Sequence, residues 1–159
     1  MTVQEKIKAK TRTVEELLAL VPDGAVICNA GTGFQGFYSK LHTIADRLTK
    51  PVVVYGYAGG KDNAYFWDDQ YKEKFVTWSE FFGKPLRDRH PAGNVSLIPL
   101  HLHAFMDRFL DVYKPNIYIL GTTMVDRHGY VRTPLSCPNR RAIDMADIVI
   151  ACVNPLAPT

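Results

Sequence analysis

Short apolar runs recur along this chain and are separated by turns and by segments with helical spacing. The runs cover residues 25–28, 52–55, 95–98, 117–120 and 148–151. Apolar runs of this length without polar alternation are typical of strands that a parallel sheet buries on both faces. The pattern therefore predicts five strands.

Apolar residues with helical spacing lie between these runs. A capping box at Thr13 and Glu16 predicts a short helix, and helical patterns follow over residues 37–48, 103–113 and 139–146. Strands that alternate with helices form βαβ units, in which the strands are parallel. The sequence thus predicts an α/β fold with an open, mainly parallel sheet flanked by helices.

Residues 56–93 show no regular pattern and are rich in aromatic side chains. We expect this segment to be irregular, with most of its aromatic residues packed in the core. The alternative is that some of them line a ligand cleft or a domain interface. The excess of aromatic side chains from Phe66 to Phe82 also predicts an exposed, adhesive surface.

Length and composition narrow the classes of protein that fit. The 159 residues suit one domain over residues 1–159, and 47% are hydrophobic, 22% charged, with a net charge of +3. So small a charge argues against a nucleic acid or a membrane as partner. No signal peptide or membrane-spanning run is visible, and Cys28, Cys137 and Cys152 are too widely spaced to suggest a metal site or a redox pair. We therefore expect a cytoplasmic protein.

The first apolar run leads into a glycine loop, GTGFQG, at residues 31–36. Its spacing matches the dinucleotide fingerprint, in which glycines between a strand and a helix let a phosphate approach the backbone. That fingerprint also expects a carboxylate roughly 20 residues later. Residues 54–60 contain none. The loop is predicted to bind an anionic or carbonyl group, and a tight turn and a nucleotide-binding module remain the alternatives.

Other residues suggest little chemistry by themselves. His101 and His103 suggest a metal pair, but no Asp, Glu or Cys stands at a spacing that completes it, so helix capping or core hydrogen bonding is favoured. The remaining carboxylates of interest lie in contexts that we interpret as helical and exposed: Glu15, Glu16, Glu73 and Glu80. The residues by themselves therefore indicate neither a catalytic group nor a metal site.

The order of several motifs resembles the acetyl-CoA hydrolase / 4-hydroxybutyrate CoA-transferase family. The likeness is carried by the opening helix and strand at residues 13–27, the loop GTGFQGF at 31–37 and the PLHLH segment at 99–103. It continues in DRHGY at 126–130 and in AIDMADIVIACVN at 142–154. One departure concerns the loop, because Phe37-Tyr38 stands where the family has proline.

The resemblance implies the amino-terminal domain of a two-domain acyl-CoA:carboxylate CoA-transferase. Such an enzyme moves CoA from an acyl-CoA to a small carboxylate such as acetate through a glutamyl-CoA thioester. Coenzyme A is then a substrate, and no other cofactor is implied. The glutamate lies on a carboxy-terminal CoA-transferase domain, or a partner subunit, that is absent from this chain, so no catalytic residue is assigned here and the chain alone is expected to be inactive.

By the same resemblance, the substrate-binding residues are those of the glycine loop: Gly31, Gly33, Phe34, Gln35, Gly36 and Phe37. A homo-oligomer is also expected. Two alternatives remain open, an acyl-CoA hydrolase on the same scaffold and a non-catalytic module that binds a nucleotide or CoA. Transfer and hydrolysis differ only in whether water reaches the thioester.

Overall fold

The computed structural model describes residues 2–30, 34–56, 64–104, 106–134 and 137–157. Its centre is a parallel sheet with six strands among these residues. They are β1 (Val26–Ala30), β2 (Val52–Tyr55), β3 (Phe75–Ser79), β4 (Val95–Leu97), β5 (Ile117–Thr122) and β6 (Ile148–Val153). All neighbouring strands pair in parallel, in the order β4-β3-β2-β1-β5-β6.

The strand order changes direction at β1. From β1 the chain adds β2, β3 and β4 on one side, and it then crosses to the other side of β1 for β5 and β6. Ile27 of β1 is opposite Val54 of β2 and Ile117 of β5, so β1 is the central strand. In open α/β sheets, the crevice outside the carboxyl ends of the strands at such a reversal is where ligands bind. Here that crevice lies between the ends of β1 and β5.

The helices are short. They are α1 (Val3–Lys10), α2 (Val14–Ala19), α3 (Gln35–Lys40), α4 (Lys84–Arg89), α5 (Asp107–Leu110) and α6 (Arg140–Met145). A 3-10 helix, Leu41–Arg47, continues α3, and shorter 3-10 turns occupy Tyr65–Trp67, Asp69–Tyr71, His90–Ala92 and Leu102–Ala104. The predicted capping box is present, since the Thr13 hydroxyl accepts from the Glu16 N–H and the Glu16 carboxylate accepts from the Thr13 N–H. Thr2 and Glu5 cap α1 in the same way.

Both faces of the sheet are covered by apolar side chains. Leu18 of α2, Phe37 of α3 and Leu86 of α4 pack on one face. Phe109 of α5 and Ala142 of α6 pack on the other. This division follows from the right-handed crossover between parallel strands, because a chain that reverses its direction along the sheet must place its next helices on the opposite face.

The five predicted strands are confirmed, and so is the α/β class. The prediction that residues 56–93 are irregular is wrong, because β3 and α4 lie within them. The sequence pattern did not predict β3 because the polar residues Thr77 and Ser79 interrupt its apolar run. Both residues are nevertheless buried. Thr77 is accommodated because its hydroxyl accepts a hydrogen bond of 2.8 Å from Nε1 of Trp67.

The aromatic residues of this segment mostly fill the core. Phe66, Trp67 and Phe75 are buried, so the predicted adhesive surface is wrong for them. Tyr65 and Phe81 remain exposed. The helix predicted over residues 103–113 is also shorter in the structure, where α5 covers Asp107–Leu110.

Candidate functional site

The predicted glycine loop starts where β1 ends, at the crevice between β1 and β5. Gly31 and Gly33 lie outside the described residues. Phe34 and Phe37 are buried against the core, while Gln35 and Gly36 are exposed in the first turn of α3. Of the described loop residues, Gln35 and Gly36 are therefore the ones open to a ligand, and the substrate-binding role stays a prediction.

Asn29 connects this loop to the end of β2. It is a buried residue of β1, and its Oδ1 accepts a hydrogen bond of 2.9 Å from the hydroxyl of Tyr38 in α3. Its Nδ2 donates to the carbonyl of Gly56 across 3.1 Å. Gly56 has a φ of +78°, and a Cβ there would lie 3.4 Å from the Asn29 carbonyl oxygen. The Asn29 side chain thus fixes the position of α3 relative to the segment that follows β2.

Gly36 is not required by the protein's own packing. Its φ is not in the left-handed region, and a Cβ built on it would meet none of the described residues within 4 Å. A tight turn would give Gly36 a conformational reason to be glycine, and the structure provides none. Gly36 is exposed in the first turn of α3, which is consistent with close approach of a ligand to the backbone.

A second group of polar atoms lies on the opposite face of the sheet. Glu80 comes directly after β3, so the prediction that it is helical and exposed is wrong. The hydroxyl of Tyr55, the last residue of β2, donates a hydrogen bond to Oε1 of Glu80. Oε2 of Glu80 is buried and has no hydrogen-bond partner. The backbone of Met106, in the segment before α5, also approaches both side chains and acts to lower the pKa of each.

The surroundings of Glu80 disfavour its charged form. Burial raises the pKa of Glu80, and the hydrogen bonds from Tyr55 and Met106 offset this only in part. Burial likewise raises the pKa of Tyr55 and of Cys28, and the neighbouring Glu80 adds to both increases. The three groups therefore form a cluster of acids on β1, on β2 and directly after β3, and the pKa of each is raised.

Aromatic rings pack against the Tyr55 side chain of this cluster. Tyr55 stacks on Phe109 with ring centroids 3.7 Å apart, and Phe109 stacks on Tyr113 at 4.9 Å. Trp78 of β3 packs edge-on against Phe109, with ring centroids 6.2 Å apart. Packed rings of this kind fix the Tyr55 hydroxyl in position, because the ring cannot rotate away without disrupting the stack.

A further unpartnered group lies at the end of β5. Thr122 is 1% exposed, and its hydroxyl has no hydrogen-bond partner. β5 is the neighbour of β1, so this hydroxyl lies beside the strand end that carries the glycine loop. Buried polar groups without partners are rare and costly, so each calls for an explanation.

The structure adds little to the other sequence-based candidates. His101 and His103 are both exposed, with ring centroids 5.5 Å apart, so of their two expected roles core hydrogen bonding is wrong, and helix capping stays a prediction. Within the described ranges, no group of three or more His, Cys, Asp or Glu side chains is arranged to hold a metal ion. Among the same residues, no helix has both the length and the apolar character to span a membrane.

Comparison with known proteins identifies the family. The profile of the acetyl-CoA hydrolase/transferase N-terminal domain matches residues 2–159. The chain belongs to this family. The resemblance found in its motifs is therefore confirmed. A search of curated protein sequences found no match.

Solved structures share the fold. RipA from Yersinia pestis superposes with a TM-score of 0.79 at 17% identity, covering 97% of this chain and 39% of that one. A single-residue variant of RipA superposes with a TM-score of 0.75 at 14% sequence identity, covering 100% of this chain and 45% of that one. The 4-hydroxybutyrate CoA-transferase from Porphyromonas gingivalis superposes with a TM-score of 0.64 at 15% sequence identity, covering 98% of this chain and 36% of that one. This chain thus spans less than half the length of each of these proteins.

Two of the residues described above were missed by sequence reasoning. Glu80 follows the sequence FVTWS, and recognising that segment as a strand would have placed Glu80 at the carboxyl edge, where ligands bind. Asn29 stands two residues before the glycine loop, and a polar side chain at the end of an otherwise apolar strand was a signal of the same kind.

Proposed function

We propose that this domain forms the acyl and carboxylate side of the active site in an acyl-CoA:carboxylate CoA-transferase. The observation that carries the proposal is that the glycine loop follows β1 at the reversal point of the sheet, where Asn29 binds Tyr38 of the helix after the loop and the carbonyl of Gly56. Together with the family, this position supports a loop that receives the reacting end of an acyl-CoA.

The proposed reaction proceeds through a glutamyl-CoA thioester. A glutamate on a second domain takes CoA from the acyl-CoA, which releases the donor carboxylate. An acceptor carboxylate such as acetate then takes CoA from the glutamyl thioester, and the glutamate is free again. In both steps negative charge develops on an oxygen of the reacting carbonyl, and hydrogen-bond donors placed in advance stabilise it. The loop from Gly31 to Phe37 is the proposed source of such donors.

A second domain is the proposed partner at the carboxyl edge of the sheet. Phe81, Leu97, Met124 and Val153 lie at or just beyond the ends of four strands and are between 46% and 57% exposed. Large apolar side chains collected at one edge are typical of a surface that another protein unit covers. Such a cover would also keep water from the thioester, which a transferase requires.

The proposal is tested by isotope exchange in the two-domain protein. An acyl-CoA is incubated with labelled acetate, and the appearance of labelled acetyl-CoA is followed. Borohydride reduction, which inactivates an enzyme that carries a thioester, checks for the glutamyl intermediate. Labelled acetyl-CoA together with borohydride sensitivity is the expected result. Release of free CoA at the same rate with and without acetate would instead support the hydrolase, and no reaction of either kind would refute the proposal.

A further inference from the structure

The motif DRHGY at residues 126–130 has no part in the proposed reaction. It forms a turn in the segment that leaves β5, the strand paired with β1 at the crevice. Asp126 and Gly129 are explained by the turn itself. Oδ1 of Asp126 accepts hydrogen bonds of 2.8 and 2.9 Å from the N–H groups of His128 and Tyr130, and Gly129 has a φ of +91°. The turn does not explain the side chain of Tyr130, which is 72% exposed.

The first helix, α1, lies against this turn. A Cβ built on Gly129 would be 3.7 Å from Cγ1 of Val3, so the start of α1 is beside the turn. Val3 and Ile7 are the half-buried residues of α1, and the rest of the helix is exposed. Residues three positions apart are neighbours on a helix surface, so Lys6 lies beside Val3 and Lys10 lies beside Ile7. Both lysines therefore border the half-buried face of α1, which meets the turn at Val3.

Positive charge is concentrated on these two segments. Residues 2–12 and 126–132 hold six basic and two acidic residues, which gives a net charge of +4 with histidine neutral. The whole chain carries +3, so its remaining residues together carry −1. The six basic residues are exposed and form no ion pair with any residue that the structure describes: Lys6, Lys8, Lys10, Arg12, Arg127 and Arg132. Unpaired positive charge beside a crevice attracts an anionic ligand.

An exposed aromatic ring beside unpaired basic side chains suits a nucleotide. The ring offers a face on which a base stacks, and Lys and Arg side chains bind phosphate groups. A purely apolar partner would leave the positive charges without counter-charges. Inorganic phosphate would leave the ring of Tyr130 without a partner. The ligand that matches both features carries phosphates and a base.

Coenzyme A carries such a nucleotide at one end and its thioester at the other. We propose that the turn and α1 bind the 3′-phosphoadenosine diphosphate end of CoA, with the ring of Tyr130 stacked on the adenine and Lys6, Lys10 and Arg127 at the phosphates. This inference rests on the proposed CoA transfer and deepens it, since it assigns a site to the nucleotide end of the substrate. The glycine loop follows β1 and the turn follows β5, so both sites lie along the carboxyl edge of the sheet.

Kinetics with two acyl donors test this assignment in the two-domain protein. Acetyl-CoA carries the nucleotide, whereas acetyl-pantetheine lacks it. Tyr130→Ala should raise KM for acetyl-CoA by about 5- to 100-fold, because the stacking of one base is lost. Lys6→Ala combined with Lys10→Ala should raise it by about 2- to 20-fold, and this ratio to the wild type should shrink at high salt because exposed charges are screened. Neither change should alter KM for acetyl-pantetheine or for acetate.

Two variants are matched controls. Tyr130→Phe keeps the aromatic ring and should have the wild-type KM for acetyl-CoA. Lys72→Ala removes an exposed lysine just before β3, at the amino edge of the sheet, and should leave KM for both donors unchanged. A loss of folded protein lowers the apparent kcat with both donors, whereas loss of a nucleotide site raises KM with acetyl-CoA alone. The comparison of donors therefore separates binding from stability.

The outcomes distinguish this inference from the proposed function. If the wild type transfers CoA and Tyr130→Ala keeps the wild-type KM for acetyl-CoA, or raises KM equally for both donors, the inference is overturned and the function stands. If the wild type transfers no CoA, the proposed function fails, and binding of adenosine 3′,5′-bisphosphate measured by calorimetry decides the inference. Binding that Tyr130→Ala and the double lysine variant weaken, and Lys72→Ala does not, supports the site. Equal binding by all variants, or no binding by the wild type, overturns it.

Discussion

The hydroxyl of Tyr38 donates a hydrogen bond of 2.9 Å to Oδ1 of Asn29, and this bond fixes the helix after the glycine loop to the central strand. Both residues are buried, and the other end of the Asn29 amide holds the carbonyl of Gly56. Two segments at the carboxyl edge therefore depend on one side chain for their relative position.

Removal of this hydroxyl should cost stability and loosen the loop. We predict that Tyr38→Phe lowers the free energy of unfolding by about 1 to 3 kcal/mol, because it leaves Oδ1 of Asn29 buried without this donor. Chemical denaturation measures the change. Tyr130→Phe is the matched control, since Tyr130 is 72% exposed, and it should have almost no effect. Equal stability of the two variants would contradict the prediction.

Gly36→Ala separates the two interpretations of the glycine loop. Alanine should raise the free energy of unfolding by up to about 0.5 to 1 kcal/mol, because Gly36 is helical and a Cβ there meets no atom of the residues that the structure describes within 4 Å. If the substrate approaches the backbone at this point, turnover in the two-domain protein should fall although stability rises. Unchanged turnover would mean that the open space at Gly36 has no role in binding.

Gly24→Ala is the contrasting control for that variant. Gly24 has a φ of +68°, and a Cβ there would lie 3.2 Å from Cβ of Lys50. Gly24 precedes β1, at the edge of the sheet opposite the glycine loop. Gly24→Ala should therefore lower the free energy of unfolding and leave the turnover rate of the folded protein unchanged.

Gln35→Ala tests the loop without changing a glycine. Gln35 is exposed in the first turn of α3, so melting temperature should change little. If its amide stabilises the reacting oxygen, the turnover rate should fall on the order of 100- to 1,000-fold, as removal of one oxyanion donor does in other enzymes. Melting temperature and initial rate are measured on the same preparation. A normal rate in folded protein would remove Gln35 from the proposed site.

The stability of the domain should depend on the protonation of Glu80. The pKa of Glu80 is raised in the folded state, so above the ordinary pKa of glutamate the folded protein holds a proton that the unfolded chain has lost. The free energy of unfolding therefore falls as pH rises from the ordinary value through the raised one. Glu80→Gln should remove this decrease and be more stable than the wild type at neutral pH. Denaturation midpoints across this pH range test it, with Glu73→Gln as the control that should follow the wild type.

The 159-residue chain alone should not transfer CoA. The proposed mechanism assigns the nucleophilic glutamate to a second domain, and the carboxyl group of Glu80, the most buried one described here, already accepts a hydrogen bond from Tyr55. Incubation with acyl-CoA and labelled acetate should give no labelled acetyl-CoA. Turnover by this chain alone would contradict the assignment, and Glu80→Ala would then show whether Glu80 is responsible.

The sequence alone predicted five of the strands, the class of fold and the family. Strands such as β5 were predictable because a buried parallel strand is a continuous apolar run, and such a run is a local property of the chain. The family followed from the order of short motifs along the chain. β3 was missed since Thr77 and Ser79 interrupt its apolar run, and only the contact with Trp67 explains why Thr77 is buried.

The tertiary structure decided which polar residues form the candidate site. Tyr55 and Glu80 are 25 residues apart in the chain, and parallel pairing of β2 with β3 brings them together at one edge of the sheet. No local pattern contains that pairing. Burial of Glu80 and the approach of Met106 likewise depend on how the strands and the segment across the sheet pack. The protonation of a carboxyl group follows from its surroundings, and those surroundings exist only in the folded protein.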